Sequence, residues 1–141
     1  MQRVVDASVV AKWFLPEAFK EKAEQVLREF LSDEIDLIAP DLIVSEVGNV
    51  MWKRSVQRKE ISTNEAEQIY ANFLALNLPL SHSPSIAVTA LKLSIEQEHP
   101  VYDMLYIALA EQGSCEFVTA DEKLYNKLGT KFSCLRWLGD L

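Results

Sequence analysis

Short apolar runs alternate with longer amphipathic segments along the whole chain, and this alternation constrains the fold more than any other feature. The short runs have the length of buried strands, and the segments between them carry apolar residues at helical spacing. Such alternation predicts an α/β fold in which helices cover both faces of a central, mainly parallel sheet. We expect a three-layer α/β/α arrangement with roughly five strands. The predicted strands are residues 2–5, 36–39, 78–80, 116–118 and 134–137.

Capping and stop signals separate these strands and predict seven helices. Ser8 is expected to cap the first helix, and Ser62 with Glu65 fits a capping box. Ser83 followed by Pro84 fits an N-cap with a first-turn proline, and Gly113 is a C-terminal stop. The predicted helices are residues 8–14, 17–31, 41–58, 63–76, 84–97, 101–112 and 121–128.

The size and composition are those of an ordinary globular protein. A length of 141 residues predicts a single domain over residues 1–141. The first fifteen residues contain Asp6 and Lys12 and do not resemble a signal peptide, and no apolar run approaches the ~20 residues that span a bilayer. We therefore expect a soluble, cytoplasmic protein with no membrane partner. The net charge of −7 argues against broad, non-specific nucleic-acid binding but leaves room for a local basic path.

Four acidic residues follow or flank apolar segments at equivalent points of the pattern. Asp6 and Asp121 come directly after predicted strands, while Glu46 and Asp103 lie near the start of predicted helices. In an open parallel sheet these points meet at the edge formed by the carboxyl ends of the strands. A carboxylate in apolar surroundings is costly unless it is paired, hydrogen-bonded or bound to a metal. We therefore expect the four side chains to form one site.

The donor types indicate the metal and the reaction. Carboxylates without histidine or cysteine favour Mg²⁺ or Mn²⁺, and such a site suits phosphodiester hydrolysis. Cys115 and Cys134 lack the spacing of a zinc site and are expected to be reduced thiols in the core. His82 and His99 lie far apart in sequence, and we expect no direct catalytic role for either.

Several nearby residues are open to a structural or a functional interpretation. Ser8, Asn49 and Thr119 are polar neighbours that could support the acids, although Ser8 also fits a helix cap and the other two fit ordinary packing. Each of the four acids also has a structural interpretation when taken singly. Asp6 and Asp121 could be helix N-caps, Glu46 could lie on a solvated helix face, and Asp103 could be a first-turn acid favoured by the helix dipole. A basic run, Lys53, Arg54, Arg58 and Lys59, fits either a solvated helix end or an RNA-backbone contact. Trp13, Trp52 and Trp137 fit core or interface packing better than base stacking.

Four blocks of the chain resemble, in order, the signature motifs of the PIN-domain family. The resemblance is strongest to the VapC-type toxins of prokaryotic toxin–antitoxin modules and extends over essentially the whole chain. One Asp-Ala-Ser motif would be weak support, whereas four blocks in order are specific. The blocks are Val-Val-Asp-Ala-Ser-Val-Val at 4–10, Ser-Glu-Val-Gly-Asn-Val-Met-Trp-Lys at 45–53, Tyr-Asp-Met-Leu-Tyr-Ile-Ala-Leu-Ala at 102–110 and Phe-Val-Thr-Ala-Asp-Glu-Lys-Leu-Tyr at 117–125.

The resemblance implies an endoribonuclease that depends on Mg²⁺ or Mn²⁺ and leaves a 5′-phosphate and a 3′-hydroxyl. It also implies a homodimer and a small VapB-type antitoxin as partner. The protein would contact DNA only through that antitoxin. Position by position, Asp6, Glu46, Asp103 and Asp121 match the family's acidic metal quartet, with Asn49 and Thr119 beside it. Two other functions stay open: a non-catalytic PIN-fold binding module, which metal affinity would distinguish, and a receiver-like signalling domain, which a phosphotransfer assay would distinguish.

Overall fold

The sheet has five parallel strands in the spatial order β3-β2-β1-β4-β5. A computed structural model describes all 141 residues. The predicted α/β architecture is confirmed, and the strand order shows how it is built. From β1 the chain first winds outward through β2 to β3, then crosses to the other side of β1 for β4 and β5. The strands are β1 (Gln2–Val5), β2 (Asp36–Pro40), β3 (Leu80–Ser81), β4 (Glu116–Thr119) and β5 (Leu135–Trp137).

Seven α-helices connect the strands or lie between them. A π-helical turn, Lys53–Gln57, continues α3, and short 3₁₀ helices cover Ser83–Ser85 and Leu138–Asp140. None of the helices is long and apolar enough to cross a membrane. The α-helices are α1 (Ala7–Phe14), α2 (Lys20–Leu31), α3 (Leu42–Trp52), α4 (Thr63–Ala75), α5 (Ala87–Gln97), α6 (Val101–Gln112) and α7 (Glu122–Leu128).

Three local predictions were wrong. Ser8 does not cap α1, because the Asp6 carboxylate accepts hydrogen bonds from the first-turn amides. Ser83 does not cap α5 either: its hydroxyl donates to Asp41, and a 3₁₀ turn precedes the helix. The helix that carries Glu46 does not stay α-helical to Arg58, because it widens into the π turn at Lys53. The predicted capping box of Ser62 and Glu65 is present, with both reciprocal hydrogen bonds.

Helix α6 is the central helix of the fold. Its residues from Met104 to Ala110 are all buried, so every side of the helix is covered by other elements. It packs against α5 and against strands β1, β2 and β4. Because α6 is buried all round, a polar residue near its first turn is held in a fixed place at the edge of the sheet. Asp103 occupies that position.

The crossover places a crevice between β1 and β4. Val4 and Val5 of β1 pair in parallel register with Phe117 and Val118 of β4, and all four are fully buried. The two strands leave this point along connections that run to opposite sides of the sheet. In open α/β sheets, ligands bind at such a switch point, beyond the carboxyl ends of the strands. The fold therefore places its site next to the ends of β1 and β4.

Candidate metal centre

Asp6 is the most buried acidic residue of the chain and anchors the site. It follows β1 directly and caps α1, with Oδ1 accepting from the backbone N–H of Ser8 at 3.1 Å and of Val9 at 3.3 Å. Its carboxylate also accepts hydrogen bonds from the Ser8 hydroxyl and, at 2.6 Å, from the Thr119 hydroxyl. Burial raises the pKa of Asp6 to about 6; these hydrogen bonds lower it, and the charge of Glu46 adds to the rise.

Hydroxyl groups join the ends of β1 and β4. Thr119 is fully buried at the end of β4, where its Oγ1 donates to Asp6 and accepts from the Asp121 N–H at 3.1 Å. The Ser8 hydroxyl accepts from the Ala120 N–H at 2.9 Å. These bonds place the first residues after both strands in one network. Ser8 and Thr119 therefore contact the acids or their backbone directly, and their role in supporting a metal site stays a prediction.

Asp121 lies on the outer side of this network. It is exposed and caps α7, its Oδ1 accepting from the Leu124 N–H at 3.1 Å. Its second carboxylate oxygen accepts no hydrogen bond from the protein. The cap fixes the side chain and leaves one oxygen free toward solvent.

Tyr106 holds Glu46, and sequence reasoning did not identify it. The buried Tyr106 hydroxyl donates to Glu46 Oε1, while its ring stacks on Phe117 at 5.3 Å. Burial raises the pKa of Glu46, the Tyr106 hydrogen bond lowers it, and the charge of Asp103 raises it further. Tyr106 lies within the largely apolar run from Met104 to Ala110, which indicates burial and not a polar contact. Its position three residues after Asp103, on the same helix face, is the signal that could have identified it.

His99 orients Asp103, an indirect role that the sequence did not indicate. His99 Nε2 lies 2.7 Å from Asp103 Oδ2, and Lys127 Nζ lies 2.9 Å from His99 Nδ1. A lysine ammonium has no acceptor, so it donates to Nδ1 and leaves the proton of the neutral imidazole on Nε2. Nε2–H then donates to Asp103. Lys127 thus fixes the tautomer that holds one carboxylate oxygen of Asp103 and leaves the other free.

Asn49 stands apart from these contacts. It is exposed, its side chain makes no hydrogen bond, and its backbone carbonyl accepts from the Lys53 N–H. A supporting role for Asn49 stays a prediction. Trp13, by contrast, is a core residue, because it is buried and its indole N–H donates to the Ala23 carbonyl at 2.9 Å.

The acids influence one another electrostatically around Tyr106. Burial raises the pKa of Tyr106 well above its ordinary value, and the charges of Glu46, Asp6 and Asp103 raise it further. The neighbouring negative charges therefore belong to residues from three separate segments of the chain. No basic side chain pairs with Glu46 or Asp6. The cluster lacks a protein counter-charge at its most buried part, which is the electrostatic situation that a bound cation relieves.

The candidate ligands are of the kind that a hard divalent cation prefers. All candidate ligands are oxygens, and Glu46, Asp103 and Asp121 each have one oxygen held by a hydrogen bond and one free of the protein. The carboxylates lie farther apart than they would if all of them bound one ion. In this conformation no three acidic, histidine or cysteine side chains lie close enough to share one ion. Binding would thus require the less buried carboxylates to turn inward.

Replacing Asp6 by asparagine should change how the stability of the metal-free protein depends on pH. The folded-state pKa of Asp6 is raised to about 6 from an ordinary value of 3.8, so its ionised form opposes folding. Its contribution to stability is complete below pH 4 and is lost as the pH rises through 6. The stability difference between Asp6→Asn and wild type should therefore shift in favour of the variant by up to about 3 kcal/mol between pH 4 and 7, whatever its value at pH 4. Urea unfolding across this pH range in the presence of a chelator measures the difference.

The exposed Asp36 supplies the control for this measurement. Asp36→Asn makes the same change of charge at the start of β2 without touching the site. It measures what the loss of one negative charge does by itself at each pH. A stability difference for Asp6→Asn that follows this control at every pH would contradict the account of Asp6 as a carboxylate destabilised by burial.

Replacing His99 tests whether it orients Asp103 for a cation. His99→Gln places an amide N–H close to the position of Nε2 and should retain most of the Mn²⁺ affinity. His99→Leu removes the donor and should weaken Mn²⁺ binding by about 10-fold to 100-fold. Calorimetric titration with Mn²⁺ measures both variants. Equal affinity of His99→Leu and wild type would show that His99 supports only the fold.

Known proteins share both the sequence pattern and the fold. The sequence profile of the PIN domain matches residues 3–128. Ribonuclease VapC3 of Pyrobaculum aerophilum is 34% identical over 131 residues, covering 90% of this chain and 95% of that protein. The crystal structure of PAE2754 from the same organism has a TM-score of 0.70 at 18% identity, covering 99% of this chain and 94% of that one. The crystal structure of Mycobacterium tuberculosis VapC20, described as a Sarcin-Ricin loop cleaving toxin, has a TM-score of 0.65 at 14% sequence identity. That match covers 92% of this chain and 95% of that one.

The two structures establish the likeness of the fold, and the sequence match extends over the segments that carry the four acids. The resemblance that the four sequence blocks indicated is thereby confirmed, and this chain belongs to the PIN-domain family.

Proposed function

We propose that this protein is an endoribonuclease that hydrolyses RNA phosphodiester bonds with the aid of Mg²⁺ or Mn²⁺. The observation that carries the proposal is the convergence of Asp6, Glu46 and Asp103 around Tyr106 at the carboxyl edge of the sheet. Membership of the PIN-domain family and the 34% identity to a protein named a ribonuclease support it. Asp121 completes the proposed quartet from the end of β4.

One group of residues would bind the cation, and a second group orients the carboxylates of the first. A divalent cation, when bound, supplies a Lewis acid that activates the attacking water and stabilises the leaving oxygen. Asp6, Asp103 and Asp121 would hold it through carboxylate oxygens, with Glu46 completing the set or accepting a proton from the attacking water. Ser8, Thr119, Tyr106 and His99 keep those carboxylates oriented through their hydrogen bonds. Attack by water with departure of the 3′ oxygen gives a 5′-phosphate and a 3′-hydroxyl.

The cation is proposed from the chemistry of the donors. Oxygen ligands without histidine or thiolate favour Mg²⁺ or Mn²⁺ over zinc. Cys115 and Cys134 are free thiols outside the site, and burial raises the pKa of Cys134 to about 11. A thiol with such a raised pKa is a poor metal ligand at neutral pH.

We assign the protein to the toxin side of a cytoplasmic toxin–antitoxin pair, on the similarity to Ribonuclease VapC3. Its inhibitor would be a small VapB-type antitoxin, which would supply any contact with DNA. A homodimer is the proposed assembly. An exposed apolar stripe on α5 supports self-association, because Val88, Leu91 and Ile95 are 83%, 53% and 69% exposed at helical spacing.

The assembly proposal predicts that a charge on this stripe separates the subunits. Ile95→Glu should shift the protein from dimer to monomer in sedimentation velocity at micromolar concentration, because burying the new carboxylate would be costly. Thr89→Glu introduces the same carboxylate at an exposed position of the same helix, about 120° around the helix axis from Ile95, and should leave the dimer intact. A dimer that persists in Ile95→Glu would place the interface elsewhere.

The catalytic proposal predicts that Asp121→Asn abolishes activity without unfolding the protein. Asparagine caps helices about as well as aspartate, so α7 should keep its N-terminal hydrogen bond and the melting temperature should change little. Loss of one anionic ligand should reduce RNA cleavage by at least about 100-fold. Cleavage is followed on RNA with Mn²⁺, and mapping of new 5′-phosphate ends identifies the products.

Glu122→Gln is the matched control for this experiment. Glu122 is the next residue, is exposed, and loses the same charge, but it lies outside the quartet. We expect near wild-type cleavage from it. Undiminished cleavage by Asp121→Asn would refute the assignment of the quartet.

A further inference from the structure

A basic cleft lies beside the carboxylates, and the proposed chemistry does not use it. Its volume is about 280 Å³. Four cationic side chains line it, and Ser8 and Ala120 form part of its wall. Ser8 is also the residue whose hydroxyl contacts Asp6. The cleft therefore adjoins the candidate metal centre through Ser8. Its cationic residues are Lys12, Lys53, Arg54 and Arg58.

The positive charge of the cleft is only partly compensated. Glu17 is the one acid in its wall, and it pairs with Lys12 at 3.1 Å and with Arg54. Lys53 takes part in no ion pair, and the nearest approach of Arg58 to a carboxylate is 3.8 Å, to the exposed Glu60. Burial lowers the pKa of Lys12, and the charge of Arg54 lowers it further, as expected where cations are in excess. This excess occurs in a chain whose net charge is −7.

The π turn gathers three of the cations on one face. The Arg58 N–H donates to the Lys53 carbonyl at 2.9 Å, which is an i+5 to i hydrogen bond. In an α-helix residue i+5 would point about 140° away from residue i. In the π turn the two residues lie one above the other, as i and i+4 do in an α-helix. Lys53 and Arg58 are thereby brought together beside Arg54, and all three face the cleft.

The electrostatics identify the ligand as an anion that also reaches the carboxylates. RNA carries a phosphate at every nucleotide, and the acidic quartet repels it. Cations next to the quartet offset that repulsion, and lysine and arginine are the side chains that bind phosphate oxygens. The cleft shares a wall with the site where one phosphate would react. A neighbouring phosphate of the same strand is therefore the group positioned to enter it.

We propose that the basic cleft binds a backbone phosphate of the RNA substrate adjacent to the phosphate that is cleaved, with Lys53 and Arg58 as its principal contacts. This assignment rests on the proposed ribonuclease function and specifies where the substrate strand lies. Arg54 and Lys12, held by Glu17, shape the cleft, while the less engaged Lys53 and Arg58 are free to meet the phosphate. The contact is independent of sequence, because it involves only the RNA backbone.

The test compares two double variants that lose the same charge. Lys53→Gln with Arg58→Gln removes the proposed contacts. Arg28→Gln with Lys131→Gln removes one exposed arginine and one exposed lysine that do not line the cleft. For the first variant we expect the KM for a single-stranded RNA to rise about 10-fold with kcat nearly unchanged. The plot of log kcat/KM against log salt concentration should become shallower by about 0.7 for each lost phosphate contact. Mn²⁺ affinity should not change, because the metal ligands are intact.

The outcomes separate this inference from the function on which it rests. If wild-type protein binds Mn²⁺ and cleaves RNA but both double variants show the same KM and the same salt dependence, the cleft assignment is overturned. A cleft that binds an acidic protein partner instead would give that result. If wild-type protein neither binds Mn²⁺ nor cleaves RNA, the ribonuclease function itself fails and the cleft assignment fails with it. A selective rise in KM with a shallower salt dependence supports both.

Discussion

The hydrogen bond between the Thr119 hydroxyl and the Asp6 carboxylate is the contact on which the arrangement of the site depends. It links the end of β1 to the end of β4, at the point where the chain reverses its direction of winding. Both residues are buried, so the bond replaces water that Asp6 has lost. The same carboxylate caps α1, and the same hydroxyl accepts from the Asp121 N–H. One buried acid therefore fixes a strand, a helix and the neighbouring end of β4.

That network also explains why the site retains an electrostatic cost. Hydrogen bonds from Ser8, Thr119 and Val9 stabilise the charged form of Asp6, but burial outweighs them, and the pKa remains raised at about 6. Glu46 shows the same balance, since burial opposes the hydrogen bond from Tyr106. A protein selected only for stability would not keep acids in this situation, because an apolar or amide side chain would fold at lower cost. The unfavourable charge is consistent with a site that binds a cation.

The positions of Asp6 and Asp121 at the end of β1 and β4 could be predicted from the sequence because they depend on topology alone. A residue that directly follows a buried parallel strand must lie at the carboxyl edge, and this applies to Asp6 and Asp121 without any knowledge of side-chain contacts. The residues that orient the acids could not be found in this way. Tyr106 belongs to an apolar run that predicts burial but not a hydrogen bond to Glu46. His99 reaches Asp103 only because the turn between α5 and α6 brings it there, and Lys127 comes from α7, far along the chain.

The π turn after α3 could not be predicted from the sequence either. This turn separates an acidic environment from a basic one. The apolar stripe of α3 predicts an α-helix through this region, whereas the backbone changes from α-helical to π-helical winding at Lys53. Upstream of the change, α3 carries Glu46 into the acidic site; downstream, Lys53 and Arg58 face the basic cleft. A single continuous segment thus presents an acid to one side and bases to the other. A polyanionic strand needs both: anionic ligands that hold a cation at the reacting phosphate, and cations that hold the phosphate beside it. Because the acid and the bases share one continuous helical segment, their relative position is set by its backbone hydrogen bonds rather than by a flexible loop.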